Sequence, residues 1–113
     1  IDPPSILVCV NKEASIHDAL TQGEILCINI LQKNQQEISN LCSSKKLESQ
    51  RFENDFWDTT YIPFVKNAQS NIFCKVEDTI AYHTHKIVIA SVDSSQSENQ
   101  FNTLMYADGG YLD

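Results

Sequence analysis

Ile6-Leu7-Val8-Cys9-Val10 is apolar at every position and runs directly into the polar stretch Asn11-Lys12-Glu13-Ala14-Ser15. In an extended chain Ile6, Val8 and Val10 project to one face and Leu7 and Cys9 to the other. Such a strand asks for cover on both faces and is expected deep in a sheet. Ser15 has the side chain of an N-cap ahead of Ile16, Ala19 and Leu20 at helical spacing, and Gly23 offers a left-handed stop. A helix of about two turns is therefore predicted after the strand. Backbone N–H groups at a helix start attract anions, which makes Lys12 and the Ser15 hydroxyl candidates for a phosphate site. The same residues also fit an ordinary capped connection with a solvated lysine.

The 113 residues, 42% of them hydrophobic, suffice for one domain with its own core and are short for two, so a single domain over residues 1–113 is expected. Its 15 acidic and 8 basic side chains give a formal charge of −7, which argues against nucleic acid or an anionic membrane as a partner. No apolar run approaches the roughly 20 residues needed to cross a bilayer, and no charged-then-apolar leader opens the chain, so a cytoplasmic location is expected. Cys9, Cys27, Cys42 and Cys74 are widely spaced, three of them in strand-like apolar stretches, and read as reduced thiols. Ile1 and Pro3-Pro4 lead almost at once into a strand that needs neighbours, so N-terminal strands are expected ahead of it.

A second strand apolar on both faces covers Ile25 to Leu31, interrupted only by Asn29. A buried amide left unpaired costs about 1–3 kcal/mol, so Asn29 must face either a backbone partner or a ligand. Asn34 and Glu37 are spaced as N-cap and N3 of a helix over roughly 35–44, with Ile38, Leu41 and Cys42 on one side. Glu48 to Trp57 reads as a helical turn and an aromatic loop. From Ile72 the period becomes two, with Ile72, Cys74, Val76 and Ile80 on one face and Phe73, Lys75, Glu77 and Thr79 on the other. The next strand is predicted over His85 to Val92, followed by an exposed polar loop from Asp93 to Asn99 and a short strand at Leu104 to Ala107. A turn at Asp108-Gly109-Gly110 closes the series before Tyr111. Long antiparallel strands with few short helices predict a mainly β fold closing toward a barrel.

His83 and His85 form an H-x-H pair without a third ligand at metal spacing, so no metal site is expected. G-x-S-x-G, P-loop and G-x-G-x-x-G signatures are absent from a chain with 3 glycines, which leaves hydrolysis and phosphoryl transfer unsupported.

Taken in order, these residues resemble the flavin reductase-like family, the small reductase components of two-component aromatic monooxygenases that share an FMN-binding split barrel. The resemblance rests on Asp2-Pro3-Pro4 before Ile6 to Asn11, Ile28-Asn29-Ile30-Leu31 with Gln35-Gln36-Glu37-Ile38, Arg51-Phe52, His83-Thr84-His85 in place of Gly-Asp-His, and Leu104-Met105-Tyr106 with Gly110-Tyr111. His83 and Thr84 depart from the family's glycine and aspartate, and its serine- and threonine-rich phosphate loop is not found in these residues.

The resemblance implies an antiparallel, Greek-key split β-barrel with short connecting helices. It also implies an NAD(P)H:flavin oxidoreductase that passes a hydride to FMN or FAD, with NADH or NADPH as co-substrate, and supplies reduced flavin to a partner monooxygenase. Asn11, Lys12 and Ser15 correspond to the loop that helps hold the flavin, and Asn29 and Tyr111 are further candidate cofactor-binding residues. His85 corresponds to the histidine beside the isoalloxazine ring and is the catalytic candidate. Because hydride passes directly between the two rings, the protein has mainly to align them, and no catalytic triad is expected. A homodimer is expected, from the family and from the need to cover both-face-apolar strands. A flavin- or ligand-binding split barrel without turnover is the alternative, and the aromatic segment Phe52 to Trp57 also fits a small interaction module.

Overall fold

The computed structural model describes Pro4 to Leu112. Of the Asp2-Pro3-Pro4 signal, Asp2 and Pro3 lie outside the described residues. In chain order the elements are β1 (Ser5–Asn11), β2 (Ile25–Ile30), α1 (Gln36–Ser43), β3 (Trp57–Asp58), β4 (Phe64–Val65), β5 (Ser70–Tyr82), β6 (His85–Ser97), β7 (Met105–Ala107) and β8 (Gly110–Leu112). The main sheet has the order β1-β6-β5-β2, and β3-β4 and β7-β8 form two small antiparallel ribbons. The chain divides into two compact units, residues 1–27 with 72–95 and residues 28–71 with 96–113.

In the first unit β1 runs antiparallel to β6, with Ser5 opposite Ser91 at one end and Asn11 opposite His85 at the other. Val8 and Val10 join Leu20, Ala14, Leu26, Val76 and Val88 in its core. A fully buried valine or leucine contributes about 1.5–3 kcal/mol relative to an exposed one. The other face of β1 is bare: Leu7 is 60% exposed and Cys9 is exposed. Among the described residues β1 is thus an edge strand, not the deeply buried one expected. Its apolarity states that both faces favour cover, but not that the cover comes from the same chain.

The helix predicted after Ser15 is reduced to a single 3-10 turn at His17–Ala19, with Ile16 at the N-cap position and no side-chain cap. Ile16 is 54% exposed and only Leu20 is buried, so the segment lacks the packed face that would sustain two turns. Gly23 has φ +91° and donates its N–H to the Val76 carbonyl, so the left-handed residue serves the entry to β2.

β5 follows the predicted alternation through Cys74 and Val76, both buried, with Lys75 and Glu77 exposed. The phase then slips, leaving Thr79 half-buried and Ile80 48% exposed. β6 does not stop at Val92: both strands of the β5–β6 hairpin are 13 residues long. The polar run predicted as a loop stays extended because β5 begins at Ser70 and gives it partners. Ser70 Oγ and Ser97 Oγ lie 2.8 Å apart, and Gln96 Nε2 donates to Asn71 Oδ1 at 2.9 Å.

In the second unit Ile38, Val65 and Ala68 form the core, with Leu31, Phe56 and Trp57 packed on it. The chain enters α1 through a 3-10 turn at Lys33–Gln35, so the reciprocal cap is made by Gln32 and Gln35 and not by Asn34 and Glu37. The Gln32 N–H donates to Gln35 Oε1 at 2.8 Å. Arg51 closes the other end of α1, its Nε donating to the Leu41 carbonyl (3.0 Å) and its Nη2 to that of Ser44 (3.2 Å). The Arg51 carbonyl in turn accepts from Trp57 Nε1 at 2.9 Å, so the predicted aromatic loop is pinned to a helix terminus. At the β7–β8 turn Asp108 (φ +54°) and Gly109 (φ +80°) both take the left-handed conformation that a two-residue hairpin loop requires.

Candidate functional site

The register of β1 on β6 brings the loop candidates to the histidine candidate. Asn11 is directly opposite His85, and the Lys12 N–H donates to the Thr84 carbonyl at 2.8 Å. Asn11 also shapes the loop that follows: its Oδ1 accepts from the Glu13 N–H (2.8 Å) and its carbonyl from the Ala14 N–H (3.0 Å). Lys12 and Ser15 are exposed on this loop. With no α-helix starting there, and with the His17 N–H bonded to the Ala14 carbonyl, the helix-terminus anion cradle is not formed. What the loop offers an anion is the Lys12 ammonium, with the Ser15 hydroxyl on the same segment.

His85 is the first residue of β6 and is exposed; its Nδ1 and Thr84 Oγ1 are 2.9 Å apart, within hydrogen-bond distance. His83 is in the turn, with φ +51° and its ring packed edge-on against Tyr82 at 4.3 Å. The H-x-H pair therefore does not share a strand face. Among the described residues no three His, Cys, Asp or Glu side chains gather as a metal set.

The remaining two candidates lie in the second unit. Asn29 Oδ1 accepts from the Val65 N–H (3.0 Å) and from Asn71 Nδ2 (2.8 Å), and Asn71 Nδ2 also reaches the Val65 carbonyl at 3.1 Å. Asn71 is 4% exposed, so this amide set holds the β4 segment in place. The Tyr111 hydroxyl lies within hydrogen-bond distance of Ser39 Oγ (3.0 Å) and Asn40 Oδ1 (2.8 Å) on α1. A groove of about 370 Å³ in this unit is lined by Gln32, Gln35, Ile38, Phe56, Lys66 and Asn67 among others, and by none of the six candidates.

All four cysteines are free thiols. Burial pushes the Cys27 thiol up to about 11, against the lowering effect of a hydrogen bond from the Ile72 backbone, and burial also raises Cys42 and Cys74. None of these three is poised as a nucleophile.

One residue with a direct hold on the loop was missed. Lys86 Nζ donates to the carbonyls of His17 (2.6 Å) and Leu20 (2.9 Å). The signal was available in the alternation of β6, which puts Lys86 on the same face as Val88 and Ala90.

The profile of the family described as "Flavin reductase like domain" matches residues 1–113. The chain belongs to this flavin reductase-like family. It is 33% identical over 106 residues to FMN reductase (NADH) RutF of Pseudomonas syringae pv. syringae (strain B728a), an alignment covering 92% of this chain and 60% of that protein. The NADH:FAD oxidoreductase SgcE6 of Streptomyces globisporus C-1027 superposes with a TM-score of 0.86 at 18% identity, over 98% of this chain and 64% of that one. The styrene monooxygenase flavin reductase of Pseudomonas putida S12 superposes with a TM-score of 0.83 at 23% identity, over 98% and 71%. At these identities the two structures establish the fold: mainly β, antiparallel, of the flavin reductase split-barrel type. The chain spans about 60% of the length of the curated relatives it matches.

Proposed function

We propose that the protein is an NAD(P)H:flavin oxidoreductase that uses NADH or NADPH to reduce FMN or FAD and delivers reduced flavin to a partner monooxygenase. The observation that carries this reading is the Asn11–His85 register, which joins the loop that holds flavin in the family to the family's histidine on neighbouring residues of one sheet edge. The activity for which the RutF relative is named favours FMN and NADH, and the structural neighbours supply the FAD and monooxygenase precedents.

The donor set fits a nucleotide. Lys12 provides a cation, Asn11 and Ser15 provide polar groups on a loop braced by its own turn, and His85 presents an exposed ring. The bound nucleotides supply the hydride donor and acceptor. The chain's part is to hold the flavin by this loop and to set the ring edge of His85 beside it, which is positioning and not proton transfer.

Full-length protein should oxidise NADH steadily when FMN or FAD is added. Protein that binds flavin but never consumes NADH or NADPH would sink this reading in favour of a binding protein without turnover.

The bare face of β1 supports a homodimer as the working form. Leu7 is opposite Ile89 and Cys9 opposite Ile87, so an apolar strip of two strands stands at a sheet edge. No helix among the described residues is long and apolar enough to cross a membrane, and with the acidic charge and free thiols this supports the cytoplasm as the proposed location.

A further inference from the structure

We infer that Lys86 is a positioning residue for the flavin loop, tying its far end to the strand that carries His85. This rests on the flavin reading of that loop. Three consecutive residues at the turn and start of β6 hold the loop between them. The Thr84 carbonyl takes the Lys12 N–H at the near end, His85 stands opposite Asn11, and the Lys86 ammonium takes the His17 and Leu20 carbonyls at the far end.

Lys86 is half-buried and opposite Val10 in register, on the core-facing side of β6. An ammonium brought to an apolar face needs acceptors, since burying it unpaired is strongly unfavourable. The two carbonyls meet that need where the three-residue 3-10 turn ends at its C-cap Leu20: the His17 carbonyl, which also accepts the Leu20 N–H at 3.3 Å, and the Leu20 carbonyl converge on the ammonium. Leu20, 8% exposed, lies at the same point, so the ammonium and the apolar anchor fix one end of the loop together. Between the anchors the loop is built of short local turns, in which the Ala14, His17 and Ala19 N–H groups each donate to the carbonyl three residues back, so where its ends are held bears on its shape. Because both ends are held by residues adjacent to His85, the loop and the histidine keep a common frame, and a misplacement of about 1 Å is enough to weaken binding or alignment.

The test uses full-length protein with Lys86→Met, which keeps the aliphatic stem and removes the donors, and Lys86→Arg, which restores donors. Hydrogen–deuterium exchange without ligand should quicken over residues 12–20 in Lys86→Met while the β5–β6 amides keep their protection. FMN Kd, followed by flavin fluorescence, should rise about tenfold, the loss expected for hydrogen bonds to a charged donor. Lys86→Arg should recover most of the affinity. Unchanged exchange over 12–20, or an FMN Kd equal to wild type, overturns the inference. So does faster exchange throughout the chain with a lowered Tm, because Lys86 then supports the fold and not the loop. Failure of the flavin reading is seen separately, as wild-type protein that binds no flavin, and takes the positioning role with it.

Discussion

His83 shows how one backbone torsion separates neighbouring histidines. With φ +51° it occupies a region that penalises any side chain by about 1–2 kcal/mol, most severely a β-branched one. His83→Gly relieves the torsion and loses only the Tyr82 ring contact, so its urea midpoint should match or exceed wild type, whereas His83→Val should lower stability by about 1–2 kcal/mol. His85, by contrast, is exposed on a regular strand and bonded only locally to Thr84 among its described contacts, so His85→Ala should leave the Tm nearly unchanged. A raised nicotinamide KM or lowered turnover in His85→Ala, with flavin Kd intact, would place the ring at the hydride transfer; unchanged kinetics would remove it from the site. Cys27 gives a pH signature. Its native thiol is held at about 11 against an ordinary 9.0, so the unfolded chain ionises first. The contribution of Cys27 to stability is therefore full below about pH 9 and is lost progressively as pH rises toward 11. Cys27→Ala should show a shallower alkaline decline than wild type in thermal melts between those limits.

Elements with a strong local rule were legible in the sequence, and those decided by a distant partner were not. Asp108-Gly109 specifies its hairpin turn because both positions must take positive φ, and that is where the turn falls. Asn29 was legible as an amide in need of a partner, but nothing in its neighbourhood identified Asn71, 42 residues away, as the donor. The extension of β6 to Ser97 was hidden for the same reason: Asp93 to Ser97 is polar and exposed, and only pairing with β5 keeps it extended. The predicted helix after Ser15 failed because a good cap cannot replace a packed face. For the candidate site, local sequence suggested Lys12 and Ser15 and the family resemblance suggested Asn11 and His85; strand register sets Asn11 opposite His85, whereas the hold of Lys86 required knowing which face of β6 is buried. Asn71 is the most exacting point of the amide network, since it donates to Asn29 and Val65 and accepts from Gln96. Asn71→Leu removes all three bonds from a buried position and should destabilise the protein by about 2–3 kcal/mol in urea unfolding, whereas Gln96→Leu, at the exposed end, should lose under about 1 kcal/mol.

At the scale of the whole molecule the apolarity of β1 and the acidity of the chain oppose each other. A second copy covering Leu7, with Cys9 and the half-buried Ile87 and Ile89 beside it, would remove apolar surface from water, up to about 1.5–3 kcal/mol for a side chain such as Leu7, and β1, an edge strand among the described residues, otherwise invites indiscriminate pairing. Against this, each chain carries a formal charge of −7, and two like-charged copies repel over a Debye length of about 10 Å at 0.1 M salt. The two forces respond differently to salt, so the proposed dimer should tighten as ionic strength rises from about 20 mM to 300 mM, the reverse of an interface held by ion pairs. Leu7→Glu adds a charge at the centre of the strip and should weaken the dimer at least about tenfold in sedimentation equilibrium while leaving the monomer folded, because Leu7 is 60% exposed within one chain. Cys9 reports on the same face, so its alkylation in wild type should slow as protein concentration rises and stay fast in Leu7→Glu. A wild-type protein that sediments as a monomer at micromolar concentration in 300 mM salt, with Cys9 alkylated at one rate throughout, would show that the bare face of β1 is not where two copies meet.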